Sequence, residues 1–293
     1  MLGKKIFLAG LAVCFVVPII WGMATEAQGK FIEERLAEIE TRIVRLEEKS
    51  TVTIANFERV LDILEKRLKE LEHKVAIFEM KTPTRLLLHF DERTGSVVHD
   101  STLYGNQGVI HGAEWTDGVS GSALSFNGKD NWVKIDGSAS LDTKNRITLE
   151  TWINPKEDNI SHPILEYSDG THFGIHVWQH KRWSNLFVNF FDTGGRSHAL
   201  EASGVITTGW QHIAVVYDGT YGKLYRNGEL VASGNIGQFA LQTSYDLYIG
   251  CRPTSGGSYF NGLIDEVVIY SQALSPEEIK EHYEAKKAKR KAN

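Results

Sequence analysis

Two hydrophobic rhythms divide the chain. From 30 to 81, apolar residues recur at steps of four and three: Ile32, Leu36, Ile39, Ile43 and Leu46, then Ile54, Phe57, Leu61, Leu64, Leu68, Leu71, Val75 and Phe78. This is the seam of a coiled coil. The two runs differ in phase by four inserted residues, a stutter near 47–53. Beyond the linker Lys81-Thr82-Pro83-Thr84 the pattern becomes many short apolar runs, among them RLLLHF, ITLETWINP, HFGIHVW, WQHIAVVYD and YFNGLIDEVVIY, separated by Gly, Asp, Asn or Pro. Such spacing predicts a mostly β domain, a single antiparallel sandwich. Asn227-Gly228 predicts a hairpin, because both turn residues need positive φ. Ser275-Pro276-Glu277-Glu278 predicts the start of one short helix, with Ser275 as N-cap and Glu278 closing a capping box.

Ahead of both rhythms lies an uncharged run, IFLAGLAVCFVVPIIWGMAT, behind Lys4 and Lys5. It is longer than the usual signal stretch of roughly 7–15 residues and nears the roughly 20 that span a bilayer. Residues 1–27 therefore read as a signal peptide or an uncleaved signal anchor. Either reading exports the rest, as a membrane-anchored domain outside the cytoplasm or as a secreted or periplasmic one. The remaining boundaries are a stalk at 30–81, a β domain at 84–284 and a basic tail at 285–293.

Charge refines the stalk. Glu33, Glu40, Glu47, Glu58, Glu65, Glu72 and Glu79 occupy e positions, and Arg35, Arg42, Lys49, Val60, Arg67 and Lys74 occupy g. A parallel pair matches Arg42 with Glu47, Arg67 with Glu72 and Lys74 with Glu79, whereas an antiparallel homodimer sets like against like. This predicts a parallel homo-oligomer through the coiled coil, with dimer and trimer both open. The whole chain carries a net charge of −5, which makes it no electrostatic match for nucleic acid. Its two cysteines are Cys14 in the leader and Cys251. No disulfide forms within the β domain, and Cys251 reads as a buried small residue.

The β domain resembles the laminin-G-like, concanavalin A-like jelly roll. The blocks LLLHFDE, HDST, GVSGSALSFNG, ITLETWINP, WQHIAVVYDG, KLYRNGELVASG and FNGLIDEVVIYSQALSPEEI carry the resemblance in order, over nearly everything from Leu86 to Tyr283. It implies two curved antiparallel sheets, and the fold by itself does not fix function.

Acids in the last strand raise a question that the resemblance helps to frame. Alternation puts Leu263, Val267 and Ile269 on one face with Asp265, and Ile264, Val268 and Tyr270 on the other with Glu266. A buried carboxylate must be paired or must hold a metal. The resemblance implies a structural calcium ion held by Asp91 or Glu92, the backbone at Asn127-Gly128, and Asp265, and calcium suits such oxygen donors. The metal set is then Asp91, Gly128 and Asp265. The other reading pairs Asp265 and Glu266 with backbone amides or with Arg252 or Lys134.

No catalytic pattern stands out. A retaining glucanase needs two carboxyl groups about 5.5 Å apart, and no strand carries acids at alternate positions. His172, His176 and His180 are spaced by four, but THFGIHVWQH alternates as a strand, where four residues span about 13 Å. They therefore share no zinc. The strand instead offers a polar, aromatic face. An aromatic plate stacks on a pyranose ring and neighbouring polar groups bond its hydroxyls. His176, Trp178, Trp183 and Asn189 are the candidate ligand platform, while Trp115, Trp132, Trp152 and Trp210 read as core. The expected function is a non-catalytic binding or adhesion module for a glycan or protein, displayed on the stalk. The alternatives are an assembly protein whose jelly roll packs on a partner and, less favoured, a glycoside hydrolase.

Overall fold

The computed structural model describes residues 34–42, 59–70, 83–156, 160–180, 184–254 and 257–292. The chain divides into two units, Met1–Pro83 and Thr84–Asn293. In the first, 34–42 and 59–70 are helical. Leu64 and Leu68 of the seam are half-buried, and Leu61 is exposed. The leader and the rest of the stalk lie outside the described residues. Among the described residues, no helix is long and apolar enough to cross a membrane.

The second unit is two antiparallel eight-stranded sheets, the predicted jelly-roll sandwich. In chain-order numbering, the first sheet runs β14 (Glu229–Asn235), β13 (Tyr221–Arg226), β12 (Gln211–Tyr217), β7 (Ile147–Pro155), β16 (Asn261–Tyr270), β5 (Ser122–Asn127) and β4 (Glu114–Asp117), with β1 (Thr84–Leu88) also paired to β16. The second runs β11 (Ser197–Ala202), β10 (Asn185–Phe191), β9 (Phe173–His180), β8 (His162–Ser168), β15 (Asp246–Ile249), β6 (Trp132–Ile135), β3 (Gly108–His111) and β2 (Val97–Val98). The first and last strands of the domain thus pair directly, which ties the two ends of the domain together in the middle of this sheet. Alternate residues from both sheets fill the space between them: Ile147, Leu149 and Ile153 from β7 meet Ile175, Val177, Leu186, Val188 and Phe190 from β9 and β10. Asn227 and Gly228 both adopt positive φ, 52° and 79°, at the tip of the β13–β14 hairpin.

Strand β16 departs from simple alternation. Asp265 faces Trp152 across the pair with β7, but Val268 faces Glu150, so three steps on one strand meet two on the other. Glu266 takes φ of 50°, and the extra residue is a β-bulge. Ile264 before the bulge and Val267 and Ile269 after it all enter the core. The predicted faces are corrected accordingly. Asp265 and Glu266 do not point to opposite sides, because both leave the core side around the bulge.

The C-terminal helix spans Pro276–Ala292. Its start is the expected capping box: Glu278 N–H donates to Ser275 Oγ at 3.2 Å, and Ser275 N–H donates to Glu278 Oε2 at 2.7 Å. It is not short. It continues through 285–292, the stretch read as a tail, because nothing after Pro276 breaks it and its composition favours helix. It lies on the outer face of the first sheet, where Leu274 and Ile279 bury against Ala214, Val216 and Tyr225.

Candidate functional site

The outer face of the second sheet carries most of the predicted platform. Along β9 the side chains Ile175 and Val177 enter the core, which turns His176, Trp178 and His180 outward. On β10 the partner of Trp178 is Phe187, and the partner of His176 is Asn189. His176, Trp178 and Asn189 are therefore brought together on adjacent strands. Trp183 lies outside the described residues.

A buried salt bridge organises this face. Glu166 of β8 is fully buried and accepts two bonds from Arg252 Nε, at 2.8 and 3.1 Å, and one from Trp178 Nε1 at 2.9 Å. The guanidinium of Arg252 stacks between two rings, 4.3 Å from Trp178 and 4.4 Å from Phe173. Burial pushes the Glu166 carboxyl upward, while Arg252 and the Trp178 indole pull it back. A buried acid whose lone pairs are filled this way fixes its partners in position. Arg252 does not reach Asp265 or Glu266, and Lys134 pairs with Asp136 and Asp246 instead.

Around this clamp lies a ring of aromatics. His176 has Phe191 at 5.7 Å, Phe187 at 6.0 Å, Phe173 at 6.1 Å and Trp178 at 6.3 Å between ring centres. Its Nδ1 is buried without a hydrogen-bond partner. Burial, with Arg252 nearby, pushes the imidazole down to about 3, so it is neutral at ordinary pH and serves as a polar group, not a cation. The predicted residues are deeper than the platform reading assumed. His176 is 6% exposed, Trp178 9% and Asn189 9%. Asn189 Oδ1 is spent on Ser197 Oγ and the His198 N–H, tying β10 to β11. What remains half-exposed is Phe173, Phe187, Phe191, His180 and Arg252. Strict alternation along THFGIHVWQH would put Phe173 beside Ile175 and Val177. It instead turns to the Trp178 side, at the strand's first residue, where Arg252 holds it. Further along the same face Trp132 is half-buried, not core, and stacks on His111 at 4.6 Å.

Glu166 and Arg252 were missed as site residues. The signal for Glu166 was present, since it is a lone acid in the apolar strand PILEYS. Nothing local announced Arg252 as its partner, 86 positions away.

The acids on the other sheet have different work. Asp265 is fully buried. Its Oδ2 accepts the N–H of Val119 at 2.8 Å and of Ser120 at 3.3 Å, and Oδ1 accepts the N–H of Glu266 at 2.8 Å. Asp91 Oδ1 accepts the N–H of Ser122 at 2.8 Å. Both carboxylates therefore hold one loop, and Gly118 and Gly121 are required there because a Cβ at either would run into Asp265 or Asp91. Gly128 is not brought to them. It packs against Asn261, four residues from Asp265 along β16, or about 13 Å in a strand. Asp91 and Asp265 therefore share the 118–122 loop, Gly128 lies apart from them, and backbone N–H groups bond both Asp265 oxygens. Glu266 is bound by His89 Nδ1 at 2.8 Å and by Lys286 of the C-terminal helix. Among the described residues, no group of three or more His, Cys, Asp or Glu is placed to hold a metal. Cys251 is buried and its thiol is pushed up to about 12 by burial, as expected of an inert core residue.

This two-sheet architecture with its open aromatic face defines a lectin-like sandwich. The sequence profile of the concanavalin A-like lectin/glucanases superfamily matches residues 127–280, and the chain belongs to that superfamily. No curated protein matches the chain. Among solved structures it is similar to the binding domain of botulinum neurotoxin serotype G, at 16% identity and a TM-score of 0.57, over 69% of this chain and 51% of that one. It is also similar to the binding domain of Paraclostridial Mosquitocidal Protein 1, at 14% and 0.55, over 69% and 52%. A third is the binding domain of botulinum neurotoxin DC in complex with rat synaptotagmin II, at 13% and 0.56, over 70% and 52%. The chain spans about half the length of these structures, and at such identities the likeness is one of fold.

Proposed function

We propose that the β domain is a non-catalytic recognition module whose outer second-sheet face takes a carbohydrate. The observation that carries this reading is the Arg252 clamp: a guanidinium pinned by a fully buried Glu166 between the Phe173 and Trp178 rings, 25% exposed. Rings provide apolar plates for a pyranose, and a fixed guanidinium provides donors for its hydroxyls. The Glu166 charge is already balanced by Arg252, which favours a neutral sugar over a charged one. It also speaks against acid–base work by Glu166, whose oxygens are occupied.

The solved binding domains of the same fold support a binding role, and one of them is in complex with a protein, rat synaptotagmin II. A protein ligand is the second reading. Half-exposed aromatics around an arginine are the usual composition of an interaction hot spot.

The export and stalk readings join this proposal. Residues 1–27 would place the domain outside the cytoplasm, as an anchor or a cleaved leader. A parallel stalk at 30–81 would present several copies, which raises avidity for a repeating ligand. The test is a glycan array probed with the full chain, beside Arg252→Ala and Phe187→Ala. Saturable binding lost in both variants, with each still folded at the assay temperature, supports the reading. Binding retained in both removes it.

A further inference from the structure

The outer face of the second sheet continues past the Arg252 clamp. Val133 and Ile135 of β6, Ile110 of β3, and Leu247 and Ile249 of β15 enter the core. Alternation then turns Trp132, Lys134, His111 and Tyr248 to the same outer side as Trp178. Cross-strand pairing sets these residues in line. Phe187 faces Trp178, Glu166 faces His176 and Tyr248, Tyr248 faces Lys134, and Trp132 faces His111. Planar groups therefore recur across the strands: Phe187, the Arg252 guanidinium over Trp178, Tyr248, and the Trp132–His111 stack. That stack is 15° from parallel, and Tyr259 flanks Trp132 at 6.2 Å between ring centres. Phe187, Tyr248 and Trp132 are half-buried, and His111 is exposed. From β10 to β3 the row crosses five strand spacings, about 24 Å at about 4.8 Å each.

Three features of the row define its occupant. The row is longer than one sugar ring, so a ligand that uses all of it must repeat. Its rings stand singly between polar side chains, unlike the continuous apolar centre of a protein interface. A linear glycan presents the same alternation, with apolar ring faces between hydroxyl rims. Its cations are already neutralised within the face: Arg252 by Glu166, and Lys134 by Asp136 at 2.8 Å and Asp246 at 2.9 Å. An uncharged chain suits such a surface better than an anionic one.

We infer that this face is a row of subsites for a linear, uncharged polysaccharide, with Trp132 and His111 forming a second plate three strands from Trp178, about 14 Å away. The inference rests on the carbohydrate reading of the same face and adds to it the length of the ligand and the far plate. The test is calorimetric titration of the full chain with neutral oligosaccharides of the gluco-, manno-, galacto- and xylo-series, at two and at six units. In at least one series the six-unit chain binds at least about tenfold more tightly than the disaccharide. Trp132→Ala removes that gain and leaves disaccharide binding unchanged. His111→Ala, at an exposed position, reduces the gain several-fold and reads the same plate if Trp132→Ala fails to fold. Phe187→Ala weakens both lengths. Leu230→Ala, at an exposed apolar position on the other sheet, changes neither. Equal affinity for two and six units, or a gain that survives in both the folded Trp132→Ala and His111→Ala variants, overturns the row of subsites and leaves the carbohydrate reading standing. Absence of binding in every series overturns both.

Discussion

The two outer faces of this sandwich start from the same materials and end differently. Each sheet turns outward a buried acid, an indole and histidines. On the first sheet these are Glu150, Trp152 and His212. On the second they are Glu166, Trp178, His176 and His180. The first face is roofed by the C-terminal helix. Tyr283 stacks on Trp152 at 5.6 Å, and His282 Nδ1 bonds Glu150 Oε2 at 2.8 Å. Among the described residues, Arg252 is laid across the second face. The difference teaches how a fold assigns its polar groups. Acids under the helix serve closure, whereas the acid on the open face holds an arginine at the surface.

The largest effect should come from removing the roof. Ending the chain at Gln272 uncovers Trp152, Val216 and Tyr225 and deletes Leu274, Ile279 and Tyr283, at about 5 kcal/mol or more. Chemical denaturation would read it, and a loss below about 2 kcal/mol would mean that the helix is not part of the closed face. On the open face, Glu166→Ala strands Arg252 and the Trp178 indole. Loss of one partner from a buried pair costs about 3 kcal/mol, less here because Arg252 is partly exposed. Asp265→Ala orphans three N–H groups and should cost about 3 kcal/mol. EGTA should leave the melting temperature of the parent protein unchanged, since amides hold that carboxylate.

Acidity should separate the faces by sign. Above 6.5 His176 is neutral both folded and unfolded, so its contribution is complete. As pH falls towards 3 the unfolded chain gains a proton that the folded one refuses, and stability is lost. Asp265 runs the other way. Burial and the neighbouring Glu266 outweigh its N–H donors and raise it from 3.8 to about 8. Its stabilisation is complete below 3.8 and is lost as pH rises through 8. At about 1.4 kcal/mol per pH unit, shifts of this size set an upper limit of about 5 kcal/mol on each effect. His176→Gln should flatten the acid limb of a stability–pH curve, and Asp265→Asn the alkaline limb. The smallest effect is Phe187→Ala, about 1 kcal/mol because the ring is half-exposed, but with loss of ligand binding.

Much of this was legible in the chain. Alternation in HFGIHVWQ placed His176 and Trp178 on one outer face, and Asn227-Gly228 and Ser275–Glu278 located a hairpin and a helix start. Local pattern failed where geometry was non-local. The bulge at Glu266 leaves no mark in an apolar run, so Asp265 and Glu266 were assigned to opposite faces. Depth could not be read either: Trp178 looks like a ligand plate in sequence, but Arg252 and Glu166 bury it, and Phe173, Phe187 and Phe191 are left as the accessible rings. Gly128 lies apart from Asp91 and Asp265 for the same reason, because the distance along β16 is fixed by pairing and not by motif.

Hydroxyl-radical footprinting of the full chain, with and without the saccharide that it binds best on the array, tests the contrast between the faces most directly. The account predicts protection confined to the second-sheet rings, Phe173, Phe187 and Phe191 first among them, with Trp152 and Tyr283 slow to oxidise in both samples. Protection that appears under the helix instead, or rings on the second sheet that oxidise equally with and without sugar, would contradict it.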